Sequence, residues 1–167
     1  MTIATIKARL ALLLPLVDGS NTATADADPP NSISPGAGPA WIILPGADVK
    51  DTTLLGDTAE FSPGVGAYVS KREWKLMLAV GALGSGGPGD LPAQCTPFLD
   101  GFGPFFKARP HLADPATGLG PLDNIIHCEP GDDTGVTGIE WGNTTYVGVV
   151  FPLSISEILY YTFVAGE

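Results

Sequence analysis

The chain is short of positive charge, of cysteine and histidine, and of any long apolar run, and each shortage closes off a class of function. Only 8 residues are lysine or arginine, against 18 aspartates and glutamates, giving a net charge of −10. Nucleic-acid binding depends mainly on Lys and Arg neutralising phosphates. Here Lys7, Arg9, Lys50, Lys71, Arg72, Lys75, Lys107 and Arg109 are scattered along the sequence. A surface that grips DNA or RNA is not expected, although an acidic wall suits a passage through which DNA slides without sticking. The 2 cysteines, Cys95 and Cys128, are too few for a disulfide scaffold, and their spacing matches no zinc pattern. Two buried thiols are the default reading, and a single bridge between them also fits. No apolar stretch is long enough to span a bilayer as a helix.

What is present suits a folded domain. The 167 residues are enough to bury a continuous core, and a hydrophobic content of 44% with 16% charged residues is not that of a disordered chain. Glycine (22) and proline (16) are abundant, which predicts long loops around a modest amount of regular structure. We read residues 1–167 as a single domain.

The N-terminus imitates a secretory signal: Lys7 and Arg9, an apolar run to Val17, then small residues near Ala23 and Ala25. However, Ile3, Ile6, Leu10, Leu13, Leu14 and Val17 recur at helical spacing, which predicts a helix over 2–14 packed on a core. Pro15 disfavours helix at the residue before it and ends the element. Residues 22–39, broken by Pro29, Pro30, Pro35 and Pro39, read as a long loop. A short strand over 40–44 is expected to end at Pro45 and Gly46, and 45–66 reads as a second, acidic loop with Asp48, Asp51, Asp57 and Glu60.

The clearest strand runs from Tyr68 to Val80, with Trp74, Leu76, Leu78 and Val80 on one face and Lys71, Glu73 and Lys75 on the other. That alternation predicts a sheet with one buried face. The glycine-rich stretch 84–89 lacks the following Lys-Ser or Lys-Thr of a phosphate loop and reads as a linker. A second helix is predicted over 97–109, with Thr96 as N-cap and Pro97 at the first helical position. Phe98, Leu99, Phe102, Phe105 and Phe106 form its core face, with a kink or break expected near Pro104. The C-terminal part, 124–164, reads as strands 124–129, 136–141 and 144–164, with Gly142 and Asn143 as a hairpin turn. Pro152 marks an edge or bulge in the last strand. The expected class is α+β, a mostly antiparallel sheet with two helices on one face and long loops.

Chemistry is sparse. His127, Cys128 and Glu129 are consecutive in a strand, so their side chains alternate between faces and do not converge on one ion. His111 sits beside Pro110, Ser85 lacks the frame of a nucleophile elbow, and Asp132 with Asp133 lacks calcium-loop spacing. No catalytic residue, metal site or cofactor is expected. By contrast, Ile158, Tyr160 and Thr162 fall opposite the core face of the last strand, apolar positions that suit burial by another chain or by a helix of this one.

The element order and several local runs resemble the tail-terminator and related neck proteins of long-tailed bacteriophages. The resembling parts are the opening run 6–19, the proline-flanked strand 39–45, the strand 74–80, the helix start 98–102 and the closing strand run 146–157. The glycine-rich 84–89 segment and the low basic content depart from that pattern. The resemblance implies a virion structural protein assembled in the host cytoplasm, with no membrane partner. It would form a homo-oligomeric ring, usually a hexamer, that caps the tail-tube protein and joins it to a head-completion or connector protein. DNA would pass through the lumen without specific binding. The loops 22–39 and 47–66 become candidate contacts, with Asp48, Asp51, Asp57, Glu60, Phe61, Ile158 and Tyr160 as the partner-binding residues. A tail-tube or baseplate subunit, or a small secreted acidic binding domain, are the alternatives.

Overall fold

The computed structural model describes residues 3–33, 38–51, 65–84 and 90–162, and the side chains within those ranges except at 48–51, 65–66 and 161–162. Helix α1 (Ile3–Leu13) buries Ile6, Leu10 and Leu13, spaced so that they share one face. Pro15 has no N–H to continue the α-ladder, and the chain tightens instead into a 3₁₀ turn, Leu14–Leu16, closed by Val17 N–H donating to the Leu14 carbonyl. Full burial of Leu10, Leu13 and Leu14 contributes roughly 2 kcal/mol each.

The sheet is mixed. Its strands are β1 (Thr24–Ala25), β2 (Ala40–Asp51), β3 (Val65–Ala82), β4 (Ile125–Pro130), β5 (Thr137–Trp141) and β6 (Thr144–Thr162). They lie in the order β1-β2-β3-β6-β4, with β5 also on β6. The two-residue β1 runs parallel to β2, whereas β2–β3, β3–β6, β4–β6 and β5–β6 are antiparallel. β4 and β5 divide the outer side of β6 between them, β5 on Thr144–Gly148 and β4 on Leu153–Glu157. The segment between them follows the gap, with Gly131 N–H donating to Pro152 O and Thr134 N–H to Val150 O. The α+β class is as expected.

Several expected boundaries are corrected. β2 does not end at Pro45 and Gly46 but continues to Asp51, with a bulge between Pro45 and Asp48. Proline is tolerated there because β2 is the outer strand beyond its short pairing with β1. Gly46 is required at the bulge, since a Cβ would lie 2.0 Å from the Glu73 carbonyl oxygen. The Arg72 guanidinium then donates to Gly46 O at 2.6 Å. The expected loop 45–66 is thus strand at both ends, and β3 starts at Val65, earlier than Tyr68. The loop 22–39 contains β1.

The second helix also differs in detail. A short helix, α2 (Leu91–Gln94), comes first, capped by the Asp90 carboxylate accepting from Ala93 N–H. Then α3 (Thr96–Lys107) takes Cys95 rather than Thr96 as its N-cap, and runs through Pro104 without a break. Phe98, Phe102 and Phe106 are its buried face.

Both helical segments pack on one face of the sheet. Ile6, Leu10, Leu13, Phe98, Phe102 and Phe106 meet Trp41, Ile43, Trp74, Leu76, Leu78, Val149, Phe151 and Leu153 in one core. Phe102 stacks on Phe151 with ring centres 4.4 Å apart, and the Trp41 ring lies 5.5 Å from Phe151. The expectation of a single buried face is wrong for half the sheet. On the opposite face Ala40, Ile42, Met77, Ala79, Ile139 and Tyr146 form a second core, covered by Ile33 from the loop after β1. That loop acts as a strap. The Tyr146 hydroxyl donates to Ile33 O at 2.6 Å and the Trp141 indole N–H to Pro30 O at 2.8 Å. The turn of the β5–β6 hairpin comes so close that a Cβ on Gly142 would lie 2.7 Å from Asn31 O.

Candidate interaction surface

Reactive groups do not converge among the described residues. No three of the His, Cys, Asp and Glu side chains there are placed to share a metal ion. Cys95 and Cys128 are buried, unbridged thiols. Burial pushes both up from the usual thiol range, Cys128 to about 12, which leaves them protonated and unreactive. The default reading of two buried thiols therefore holds. His111 is fixed by its Nδ1, 2.7 Å from Ile125 O, and His127 is exposed on β4. Asp133 accepts from Gly135 N–H within its own turn, and Ser85 lies outside the described residues.

Among the described residues, the buried Asp114 carboxylate is structural. Asp114, with 3% of its side chain exposed, pairs with Arg109, whose Nη2 and Nε lie 2.8 and 3.2 Å from Oδ1. Thr117 Oγ1 donates to Oδ2 at 2.7 Å. Arg109 in turn lies over the Phe105 ring at 3.8 Å. The Thr117 hydroxyl, then Arg109, hold the Asp114 carboxyl below the usual carboxylate range. Arg9 donates to the carbonyls of Leu112 and Gly120, so the turn after α3 is pinned to α1. Two clefts of about 300 Å³ are present, one between α3 and residues 130–133, the other where β2 meets the strap. The first is lined by Lys107, Asp132 and Asp133 among others, the second by Thr24, Asp26 and Ser32.

The feature that stands out is the sheet itself. The helix-side core ends at Ile43 on β2, Trp74 on β3 and Ile155 on β6. The strands do not end there. Residues 65–73 of β3 continue past it, flanked by β2 to Asp51 and β6 to Thr162. Nine residues of strand extend about 30 Å, an arm three strands wide as far as Val69 and two strands wide, β3 with β6, from 65 to 68. Ile155 and, on β4, Ile125 carry the helix-side core to the level of Arg72 and Ser70, and among the described side chains none of 67–69 or 157–160 belongs to it.

Strand register builds the surface of the arm opposite the helices, beyond the reach of the strap. Directly opposed residues share a face. The row nearest the second core is Leu44, Lys75 and Pro152. The next is Glu73, Ser154 and Glu129, followed by Lys71, Ser156 and His127. Lys71, Glu73, Lys75, His127 and Glu129 are exposed, and the two serines half-buried. Then come Val69 with Ile158, both half-buried, and Ala67, which is buried, with Tyr160, which is 58% exposed. The face thus changes along the strands from basic to acidic to basic to apolar.

The proposed partner-binding residues divide three ways. Ile158 and Tyr160 lie on this face, as expected from their alternation against the core set. Asp48 and Asp51 belong to β2 in the arm, although their side chains are not described. Asp57, Glu60 and Phe61 lie outside the described residues. Of the 22–39 loop, residues 22–33 and 38–39 are described: Ile33 packs on the sheet of its own chain, while Asp26, Asp28, Asn31 and Ser32 are exposed. Ser154 and Ser156 join the surface through β3–β6 pairing, and His127 and Glu129 through β4–β6 pairing. Their signal in the sequence was the alternation of β6, but which strand lies beside it was not written there. Among the described residues no helix is long and apolar enough to cross a membrane. Neither a family model nor a curated protein matches this chain.

Proposed function

We propose that this protein is a structural subunit of a multi-copy assembly, of the kind that closes the tail tube of a long-tailed bacteriophage and joins it to the neck. The observation that carries the reading is the arm: β3 and β6, flanked by β2 as far as Asp51, run about 15 Å past the last residues of the helix-backed core. An isolated ribbon of this kind lacks the layer that normally stabilises a sheet. A neighbouring protein chain supplies that layer. The exposed Tyr160 and half-buried Ile158 give the arm apolar contact area, and the rows of Lys71, Glu73 and Lys75 give it polar contact area. The net charge of −10 suits a ring whose lumen passes DNA without holding it.

The ring caps tail-tube protein on one side and meets a head-completion protein on the other. The test is to add the full chain to polymerising tail-tube protein and measure tube lengths by electron microscopy. Capping shortens and narrows the length distribution, and the protein is found at tube ends and in purified particles. Tubes of unchanged length, together with absence from particles, refute the assignment. Spontaneous growth of the chain itself into tubes identifies it instead as a tube subunit.

A further inference from the structure

We infer that the solvent-facing half of the sheet is a pairing surface for a second copy of this chain, packed face to face with its strands antiparallel to the first. This rests on the reading of the protein as an assembly subunit and names the occupant of its open face. Charge complementarity between rows points to this occupant. Lys71, Ser156 and His127 form one row, and Glu73, Ser154 and Glu129 the next, two residues along each strand. A two-fold axis running across the strands, midway between those rows, maps each strand onto its own copy and exchanges the rows. Lys71 then faces Glu73 of the second copy, His127 faces Glu129, and Ser156 faces Ser154, each contact occurring twice.

The flanking rows are compatible. Val69 and Ile158 meet the row of Lys75 and Pro152, where the proline ring and the lysine stem present hydrocarbon. An axis through either charged row, or one parallel to the strands, sets like charges against each other, and such juxtaposition is strongly unfavourable. The charge pattern therefore selects one register. Sheets pack about 10 Å apart, a separation that opposed Lys and Glu side chains bridge. The three strands β3, β6 and β4 over these rows cover about 400 Å² per copy, or about 800 Å² for the pair, from strand spacing and rise. That is the size of a weak, reversible contact rather than a permanent one.

The test is a charge swap read by sedimentation equilibrium over a concentration series, using the full chain. Lys71→Glu and Glu73→Lys each place like charges across the axis and raise the dimer dissociation constant by at least about tenfold. The double variant, K71E with E73K, restores the complementary pattern and returns the constant to within about threefold of the original. Thermal melts of all variants, by circular dichroism, must coincide, since these side chains are exposed. Dimers that ignore both single swaps, or single swaps that the double does not rescue, overturn the proposed pairing and leave the assembly reading standing. A monomer at every concentration also overturns the pairing, while tube capping tests the assembly reading separately.

Discussion

Replacing Tyr146 with phenylalanine tests whether the strap is a structural part of the second core. The substitution removes one oxygen and leaves the ring, which is 2% exposed, in its place. It abolishes the 2.6 Å bond to the Ile33 carbonyl, a link between residues 113 apart in sequence. A typical intramolecular hydrogen bond contributes about 1 kcal/mol net, and a carbonyl left buried without a donor costs about 1–3 kcal/mol. Ile33 lies at the surface end of the second core and its carbonyl can recover some hydration as the strap loosens, so the lower part of that range applies. The expected loss is about 1.5 kcal/mol, which for a chain of this length lowers the melting temperature by about 4 °C. Urea denaturation gives the free energy, and amide exchange gives the location: amides around 30–33 lose protection before those of β3. Trp141→Phe removes the other anchor, but the indole is half-buried, and the cost falls below about 0.7 kcal/mol. A Tyr146→Phe protein as stable as the original, with unchanged exchange at the strap, refutes the assignment of this loop as a cover for the sheet.

Other expectations concern the core and its buried charge. Gly148→Ala should cost more than about 3 kcal/mol and yield little folded protein, because the new Cβ would lie 1.9 Å from the Leu78 carbonyl oxygen of β3. Expression level and a denaturation curve check it. Asp114→Asn should lose about 2 kcal/mol, measured in urea near neutral pH, as the buried Arg109 pair and the Thr117 bond weaken. The pH dependence follows from the depressed Asp114 carboxyl. Its stabilisation is present above the unfolded value near 4 and disappears as pH falls through the lower folded value. The parent should therefore lose more stability between pH 5 and acid than the Asn variant does. Cys95 and Cys128 should resist a thiol reagent at mildly alkaline pH in the native state, and both should react once the protein is unfolded. Rapid labelling of the native protein contradicts the burial assigned to them.

Local rules carried much of the fold. The period of Ile6, Leu10 and Leu13 and that of Phe98, Phe102 and Phe106 located the helices and their inner faces. The alternation of Trp74, Leu76, Leu78 and Val80 located the core face of β3, and Gly142 with Asn143 located the β5–β6 hairpin. What failed was local reading where tertiary context decides. Pro45 and Gly46 look like a strand end, but on an outer strand a bulge absorbs them. Met77 and Ala79, on the face opposite Trp74, are apolar because the strap covers them, and nothing near them in sequence announces residue 33.

The candidate surface was legible in part for the same reason. Ile158 and Tyr160 stand out within β6 by parity alone, as Lys71, Glu73 and Lys75 do within β3. That these sets share one face, and that His127 and Glu129 extend its charged rows, depends on strand order and register. Those are set by contacts between residues distant in sequence, here 71 with 156 and 156 with 127. His127 and Glu129 read locally only as members of an alternating strand, and their place in an alternating charge pattern depends on β4 lying beside β6.

The central claim is that this arm and its open face are completed by other protein chains. Light scattering of the purified full chain, across concentration and with tail-tube protein added, measures this most directly. The account predicts a mass that rises with concentration beyond one copy and rises further when tube protein is present. A single-copy mass under every one of those conditions would contradict it.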